Sequence, residues 1–570
     1  MYKNFYKYRY FAYTVIFVLI SILLFWKCRY GYANSDEAFY PTIAHRLLQG
    51  DKLLYDEWHG TQLSALIIMP FLKAYQLIKG DYVGVYLFLR YAYTILKICI
   101  SVAVFIGIKK YGEGEAFLSS ILFLAFCCHG LMVISYNTIA VGGVLCWILF
   151  LLNGDVTKKG YFRYSLGGVC LALAILGIPH IVGVYFVYVI AVAVNYFGGK
   201  NERYLFFSPK ALLGTTIGAG AVAAALFIYL FCNISMAELS KALPFILNGD
   251  AEHEAKGLYR STAAYLVRIL IGNDHNYLLF GTYCLLLIVL VIPLLKGDRI
   301  RKNISSELSV IILCLGIVAL NCYFLHDEIG SYLNDIIFVP NIVTPFLMFV
   351  WHHDDKIREI FYCIWLPGMW LTYFEYLASN TGFSGVSAFS CIATIGSVLI
   401  IFQIFNAINK GGRYIVPIFY GIIFCCCLYY RMTYIFWEEG DLKAQETKIT
   451  TGVAKGLVVT SNEAENYYKI LSDTEEMRQL PEDAYVLYIG DKMLWVSGNQ
   501  RCGCYSPYTY SITNTREILY EYLDLHPDKR PDAAYIEFNT GNETIAKELA
   551  DYLGYDYEKE QAGWIIIPAT

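Results

Sequence analysis

Charge is what this sequence has little of. Of its 570 residues 57% are hydrophobic and only 16% charged, where a soluble domain carries about a quarter charged residues. A string of soluble domains is therefore excluded, and the long apolar blocks exclude intrinsic disorder. Basic excess is missing too. The 44 Lys and Arg face 48 Asp and Glu, which leaves nothing to neutralise a nucleic-acid backbone. Cysteine is present, 17 in all, but most lie inside apolar runs (Cys99, Cys127, Cys128, Cys146, Cys170) where a thiol packs as a small hydrophobe. Only Cys502 and Cys504 lie in a polar stretch, and a Cys-Gly-Cys triplet is a poor disulfide and supplies too few ligands for zinc. Aromatics are plentiful: the 50 Tyr suit membrane interfaces, where an apolar ring with a polar tip sits well. The composition is that of a multi-span protein whose partner is the lipid bilayer.

A helix needs about 20 apolar residues to cross the hydrocarbon core. Apolar stretches of that kind fall near 11–26, 83–108, 116–134, 139–152, 164–178, 179–197, 211–232, 276–295, 308–325, 336–351, 360–378, 386–408 and 414–430. They predict an α-helical polytopic fold of about thirteen spans over 1–430. With the N-terminus in the cytoplasm, every inner loop is basic, from Lys109/Lys110 and Lys158/Lys159/Arg163 to Lys356/Arg358 and Lys410/Arg413. An odd count then puts residues 431–570 outside the cytoplasm of a cell-membrane protein. That tail alternates helix-like stretches (462–480, 514–525, 543–553) with strand-like ones (484–489, 533–538, 564–567), which predicts a small, partly parallel α/β domain. It has no glycine fingerprint for a nucleotide, so no such cofactor is expected.

The first outer loop, about 27–82, holds most of the residues that look chemical. Asp36 and Glu37 stand just past the first span, before Pro41 and an amphipathic stretch (Ile43, Ala44, Leu47, Leu48) that ends at Gly50. Pro41 suits the first turn of a surface helix. The two carboxylates either serve as a general base or divalent-cation ligands, or simply cap that helix. A second polar knot runs from Tyr55 to Gln62 with Asp56, Glu57, Trp58 and His59, and reads equally as an interfacial turn or a site. The apolar but Pro-broken stretch 63–79 is expected to lie on the membrane surface. In the second span Arg90 either snorkels outward or meets an anionic phosphate, whereas Lys97 is deep enough to require a partner inside the bundle. Tyr136 and Asn137 open a later span; His253, Lys256, Arg260 and the group His326/Asp327/Glu328 occupy other outer loops.

Asp36-Glu37, Tyr40, Ile43, Arg46, Leu48 and Gly50-Asp51 resemble the opening loop of the GT-C superfamily of membrane glycosyltransferases, in the branch of the protein mannosyltransferases and lipid A aminoarabinose transferases. The resemblance continues through Asp56–Gln62 to Arg90, and Tyr136 is similar to a family tyrosine before a later span. It implies a transferase that moves a sugar from a polyprenyl-phosphate carrier to a lipid, glycan or protein acceptor at the outer membrane face, with inversion. Asp36 would be the base, with Glu37 beside it, and Tyr40, Asp56, Glu57, His59, Arg90 and Tyr136 would bind substrate. Superfamily relatives use a divalent metal, for which Asp36 and Glu37 are the ligands to consider. One departure matters: Glu57-Trp58-His59-Gly60 stands where relatives have Glu-Lys-Pro or His-Lys-Pro, so the expected phosphate-touching lysine is absent and His59 or Arg90 takes its place. The rival reading, a transporter or flippase for a lipid-linked or anionic solute, requires charges paired across mid-membrane helices, and only Lys97, His180 and Glu375 offer themselves.

Overall fold

The computed structural model describes residues 2–32, 36–128, 132–155, 157–198, 204–248, 258–271, 354–378, 382–408, 441–507, 515–540 and 543–568, with short helical pieces between 340 and 348 and between 421 and 435. The expected spans 276–295 and 308–325, the loop around His326, and His253 and Lys256 lie outside these residues, as does most of 336–351 and 414–430.

Long apolar runs without internal breakers make long helices. Tyr2–Lys27 (α1), Val85–Ile108 (α4), Lys158–Gly177 (α7), Val182–Phe197 (α8) and Pro209–Asn233 (α9) carry the five stretches among the described residues that are long and apolar enough to cross a membrane. Tyr136–Leu152 (α6) is shorter, and its start is fixed by a capping box between Ser135 and Thr138. Pro209 begins α9 behind a Ser208 cap, where its missing N–H costs nothing. The outward faces of α1, α8 and α9 expose Phe11, Leu19, Phe186, Val194 and Phe231, as bilayer contact requires. Helices α7 and α9 approach each other closely through glycine. A Cβ on Gly168 would stand 2.1 Å from the Thr215 carbonyl oxygen, and one on Gly218 1.9 Å from that of Ser165, so α7 and α9 pack backbone to backbone.

Two expectations need correction. The stretch 116–134 is not one span: Glu113–Ala125 (α5) stops at an extended Phe126. Thirteen residues reach only about 20 Å, short of the roughly 30 Å hydrocarbon core, and the chain continues through buried, non-helical residues at 126–128 and 132–135. Non-helical backbone survives at that depth because protein surrounds it. Pro41 also sits elsewhere than expected. Asp36–Leu48 (α2) already begins at Asp36, so Pro41 is inside the helix and leaves the Glu37 carbonyl without its usual donor.

Ala65–Lys79 (α3) follows a 3-10 turn at Gln62–Ser64 and ends at Gly80, whose φ of +82° needs glycine. Met236–Asn248 (α10) and Leu258–Ile271 (α11) follow α9. Asp355–Ile360 (α12), a π turn, Leu366–Ala378 (α13), Gly382–Ala388 (α14) and Cys391–Ile408 (α15) then return to the bundle.

Residues 441–568 form a sheet with helices. A small hairpin pairs Thr447–Lys448 (β1) with Val458–Val459 (β2). Five strands follow: Tyr485–Ile489 (β3), Arg501–Cys502 (β4), Ala533–Glu537 (β5), Tyr555–Lys559 (β6) and Gly563–Pro568 (β7), in spatial order β4-β3-β5-β7-β6. The first two pairings are parallel and the last two antiparallel. Ser461–Asp473 (α16), Glu475–Arg478 (α17), Thr515–Leu525 (α18) and Glu543–Leu553 (α19) accompany the sheet. Its apolar core runs without interruption into that of α2, α3 and the first turns of α4.

Candidate functional site

The loop between α1 and α4 is organised by one buried arginine. Arg46, on the third turn of α2, is 1% exposed. Its Nε donates to Asp51 and its Nη1 to Glu57, both at 2.7 Å, while Nη2 donates to the carbonyls of Asp56 (2.7 Å) and Cys504 (3.0 Å). Lys529, in the turn after α18, reaches Asp51 at 2.7 Å and Asp56 at 2.8 Å. Burial raises the Glu57 carboxyl to about 7 against the pull of Arg46. Asp51 goes the other way: Arg46 and Lys529 outweigh its desolvation and lower it. Asp56 and Glu57, expected to bind substrate, are therefore consumed in holding the loop together. The physical reason is that three carboxylates buried this deeply need every cation and N–H within reach.

Gln62 completes the knot. Its Oε1 accepts from the Leu54 N–H at 2.7 Å, and its Nε2 donates to the carbonyls of Glu57 and His59 at 2.9 Å. Leu54 is held at φ +60°, a strained conformation for a leucine that this amide fixes. Trp58 stacks on Phe245 of α10 at 4.3 Å between ring centres.

Glu37 and Arg90 are bound to each other. The guanidinium of Arg90 pairs with both carboxylate oxygens of Glu37 and donates to the carbonyls of Cys28 (2.9 Å), Tyr30 (3.1 Å) and Gly31 (3.0 Å). Arg90 thus neither snorkels nor presents itself to a phosphate; it ties α4 to the end of α1 and to the second residue of α2. A divalent ion on Asp36 and Glu37 does not fit this arrangement, because the Glu37 oxygens already accept from Arg90. Among the described residues no group of three His, Cys, Asp or Glu could hold a metal. Asp36 opens α2, next to the clamped Glu37; its carboxylate lies outside the described residues.

Tyr40, His59 and Tyr136 do come together. The Tyr40 hydroxyl lies 2.8 Å from Thr61 Oγ1, which lies 3.0 Å from His59 Nδ1, and the Thr61 N–H donates to that same nitrogen at 3.2 Å. Nδ1 is thereby the acceptor, and the ring proton is assigned to Nε2. The Tyr136 ring packs 5.0 Å from Tyr40, bringing the start of α6 beneath α2. A Cβ on Gly177 would stand 2.9 Å from the Tyr136 carbonyl oxygen, so the end of α7 belongs to the same layer. His180, just beyond it, meets Glu375 of α13 at 2.9 Å. This pair therefore joins helix ends on the loop side of the bundle.

Sequence reasoning missed the joint between the loop and the C-terminal segment. The Tyr32 hydroxyl donates to Asp491, whose carboxyl burial raises to about 7. Gly31 N donates to the Val458 carbonyl at 2.9 Å, Trp58 N to that of Tyr505 at 2.9 Å, and Thr42 Oγ1 to that of Lys492 at 3.2 Å. No local signal marks these partners: Lys529 and Asp491 look like ordinary turn residues in the sequence.

The chain matches no protein-family model and no curated protein. Among solved structures it is similar to ArnT from Cupriavidus metallidurans bound to undecaprenyl phosphate, at 12% identity over 97% of this chain and 98% of that one, TM-score 0.42. The apo state of the same protein gives 12% identity over 98% of both chains, TM-score 0.44. The archaeal oligosaccharyltransferase AglB from Archaeoglobus fulgidus, in complex with an inhibitory peptide and a dolichol-phosphate, gives 11% identity over 99% of this chain and 75% of that one, TM-score 0.42.

Proposed function

We propose that this protein is a membrane glycosyltransferase that moves a sugar from a polyprenyl-phosphate donor to a hydroxyl of a lipid, glycan or protein acceptor at the outer membrane face, with inversion at the anomeric carbon. Asp36 is the base. The observation that carries the reading is the frame around residue 36. Arg46 fixes the body of α2, and Arg90 fixes its second residue and neutralises Glu37. Residue 36 thereby stands at the start of a helix held at both places, and Tyr40 of the same helix belongs to the layer formed with Thr61, His59 and Tyr136.

The chemistry suits that placement. The acceptor oxygen attacks the anomeric carbon while its proton passes to the Asp36 carboxylate. The bond from that carbon to the phosphate oxygen breaks, and its electron pair leaves with the carrier phosphate. A neutral hydroxyl needs a base at this point, worth about 10²- to 10⁴-fold in rate. In this reading the His59 Nε2–H faces the sugar or its phosphate as a hydrogen-bond donor, and Tyr136 lines the sugar site. Glu37, Asp56, Glu57 and Arg90 are positioning residues.

The test is release of polyprenyl phosphate from a sugar-loaded carrier by the purified protein. Asp36→Asn is expected to reduce turnover at least about 100-fold while leaving donor binding in place. Vectorial uptake of a solute without sugar transfer would favour the transporter reading instead.

A further inference from the structure

The C-terminal sheet turns its ligand end towards the first loop. β4 and β5 flank β3 on opposite sides, and both run parallel to it. The crevice past the carboxyl ends of strands at such a switch is where open α/β sheets take their ligands. Two buried acids stand there: Asp491, just past β3 and 3% exposed, and Glu537, the last residue of β5 and 6% exposed. Gly490 lets the two strand ends approach, since a Cβ there would lie 2.5 Å from that of Glu537. Glu537 is answered from within the domain, by the side-chain amides of Asn466 at 3.2 Å and Asn539 at 3.3 Å. One oxygen of Asp491 is likewise taken by the Met493 N–H at 2.8 Å. The other accepts from the hydroxyl of Tyr32. The occupant of this crevice is therefore the chain's own first loop.

That contact brackets residue 36 on both sides. Before it, the Val458 N–H donates to the Arg29 carbonyl at 2.8 Å and the Gly31 N–H to the Val458 carbonyl at 2.9 Å. Residues 29–31 thus run beside β2 as a parallel bridge, and Tyr32 follows on Asp491. After it, Asp491 caps the 3-10 turn Lys492–Val496, which packs against α2, and the Lys492 carbonyl accepts from Thr42 Oγ1 at 3.2 Å. One side chain thereby joins the segment that enters α2 to the helix itself. Gln49, just past α2, makes a separate link: its Nε2 donates to the carbonyls of Asn499 and Gln500, both at 2.9 Å. At about 1.5 Å per residue, that link lies about 20 Å along the helix from residue 36.

We propose that Asp491 is a positioning residue for sugar transfer: through Tyr32 on one side and its capped turn on the other, it holds the start of α2 where Asp36 meets the acceptor hydroxyl. The assignment rests on the glycosyltransferase reading. Its physical ground is that a misplacement of about 1 Å at the reacting groups costs about 10²-fold in rate, even when its cause is remote. Arg90 fixes Glu37 from α4, and Asp491 adds the constraint from the C-terminal domain. That domain thus acts on the rate without touching substrate.

The experiment uses the full-length protein in detergent and compares Tyr32→Phe, Asp491→Leu, Asp491→Asn and Gln49→Ala with the wild type. The quantities read are kcat for release of polyprenyl phosphate from a sugar-loaded carrier, the Kd of that carrier, and amide hydrogen exchange of peptides covering 29–48. Tyr32→Phe and Asp491→Leu should lower kcat about 10- to 100-fold with the carrier Kd unchanged, and should speed exchange at the start of α2. Asp491→Asn keeps both links, its oxygen accepting from the Met493 N–H and its amide donating to the Tyr32 oxygen, and should restore the rate. Gln49→Ala should leave kcat at the wild-type value, because it loosens only the far end of α2. Should Asp491→Leu not fold, Tyr32→Phe, which deletes a single oxygen, carries the test. Wild-type kcat in the folded Tyr32→Phe variant would overturn the proposal. So would an Asn variant as slow as the Leu variant, or an equal loss in Gln49→Ala. A wild type that binds the carrier but releases no polyprenyl phosphate would sink the glycosyltransferase reading instead. Exchange over 29–48 then decides the tie by itself, and unchanged protection in Tyr32→Phe would refute it.

Discussion

Replacing Arg46 by methionine tests whether the first loop is built around one guanidinium. The substitution keeps the apolar stem and removes donors to Asp51, Glu57 and two backbone carbonyls. Breaking a buried pair by deleting one partner costs about 3–5 kcal/mol. Two features pull this case towards the lower end. Asp51 keeps Lys529 at 2.7 Å, and Glu57, already raised to about 7, takes up a proton when its partner goes. A loss of about 3 kcal/mol is expected near neutral pH. The pH dependence supplies a second sign. A carboxyl whose folded pKa exceeds its unfolded one favours the fold while protonated, and that contribution is lost as pH rises through the folded value. Without Arg46 the Glu57 value rises further, so the variant should fall further behind the wild type at pH 8.5 than at pH 6. The assay is thermal unfolding of the full-length protein in detergent, followed by tryptophan fluorescence. Glu57→Gln in the same chain should recover part of the loss and flatten the difference. An unchanged unfolding temperature at both pH values would refute the reasoning.

Three other outcomes follow from the same geometry. Arg90→Met should destabilise by about 3–5 kcal/mol because it strands Glu37, and adding Glu37→Gln should restore much of it in a double-mutant cycle on unfolding temperature. Asp491→Asn should be more stable than wild type at pH 8 and should lose the wild type's decline between about pH 4 and 7. The buried Asp491 carboxyl binds its proton up to about 7 when folded and releases it near 3.8 when unfolded, so stability falls as pH rises through that window. Gly168→Val should lower the unfolding temperature sharply, since its side chain would meet the Thr215 backbone of α9.

Much of the helical layout is legible in the sequence because it depends on unbroken apolar length. α1, α4 and α9 need no distant partner to be recognised, and the helix 543–553 falls where its amphipathic pattern places it. Contacts between remote segments decide the rest. Phe126 reads as the middle of an apolar span, and the donation that its carbonyl accepts from Lys97, on another helix, has no local signal. Glu37 and Arg90 look like two independent site residues, 53 positions apart, until the fold pairs them. Lys529 lies 478 positions from Asp51, and nothing local signals the bond. The strand at 555–559 alternates Tyr with charge and pairs only along one edge, with β7, so its pattern is too polar to stand out. The loop as the place of chemistry could be read from where charge concentrates; which of its charges are spent on architecture could not.

The central claim is that Asp36 takes the acceptor's proton during sugar transfer. The most direct measurement is single-turnover release of polyprenyl phosphate from a sugar-loaded carrier by wild type and Asp36→Asn, with donor binding measured in parallel. The account predicts intact binding and a rate lowered by at least about 100-fold. An Asn variant that releases the carrier at the wild-type rate would contradict it.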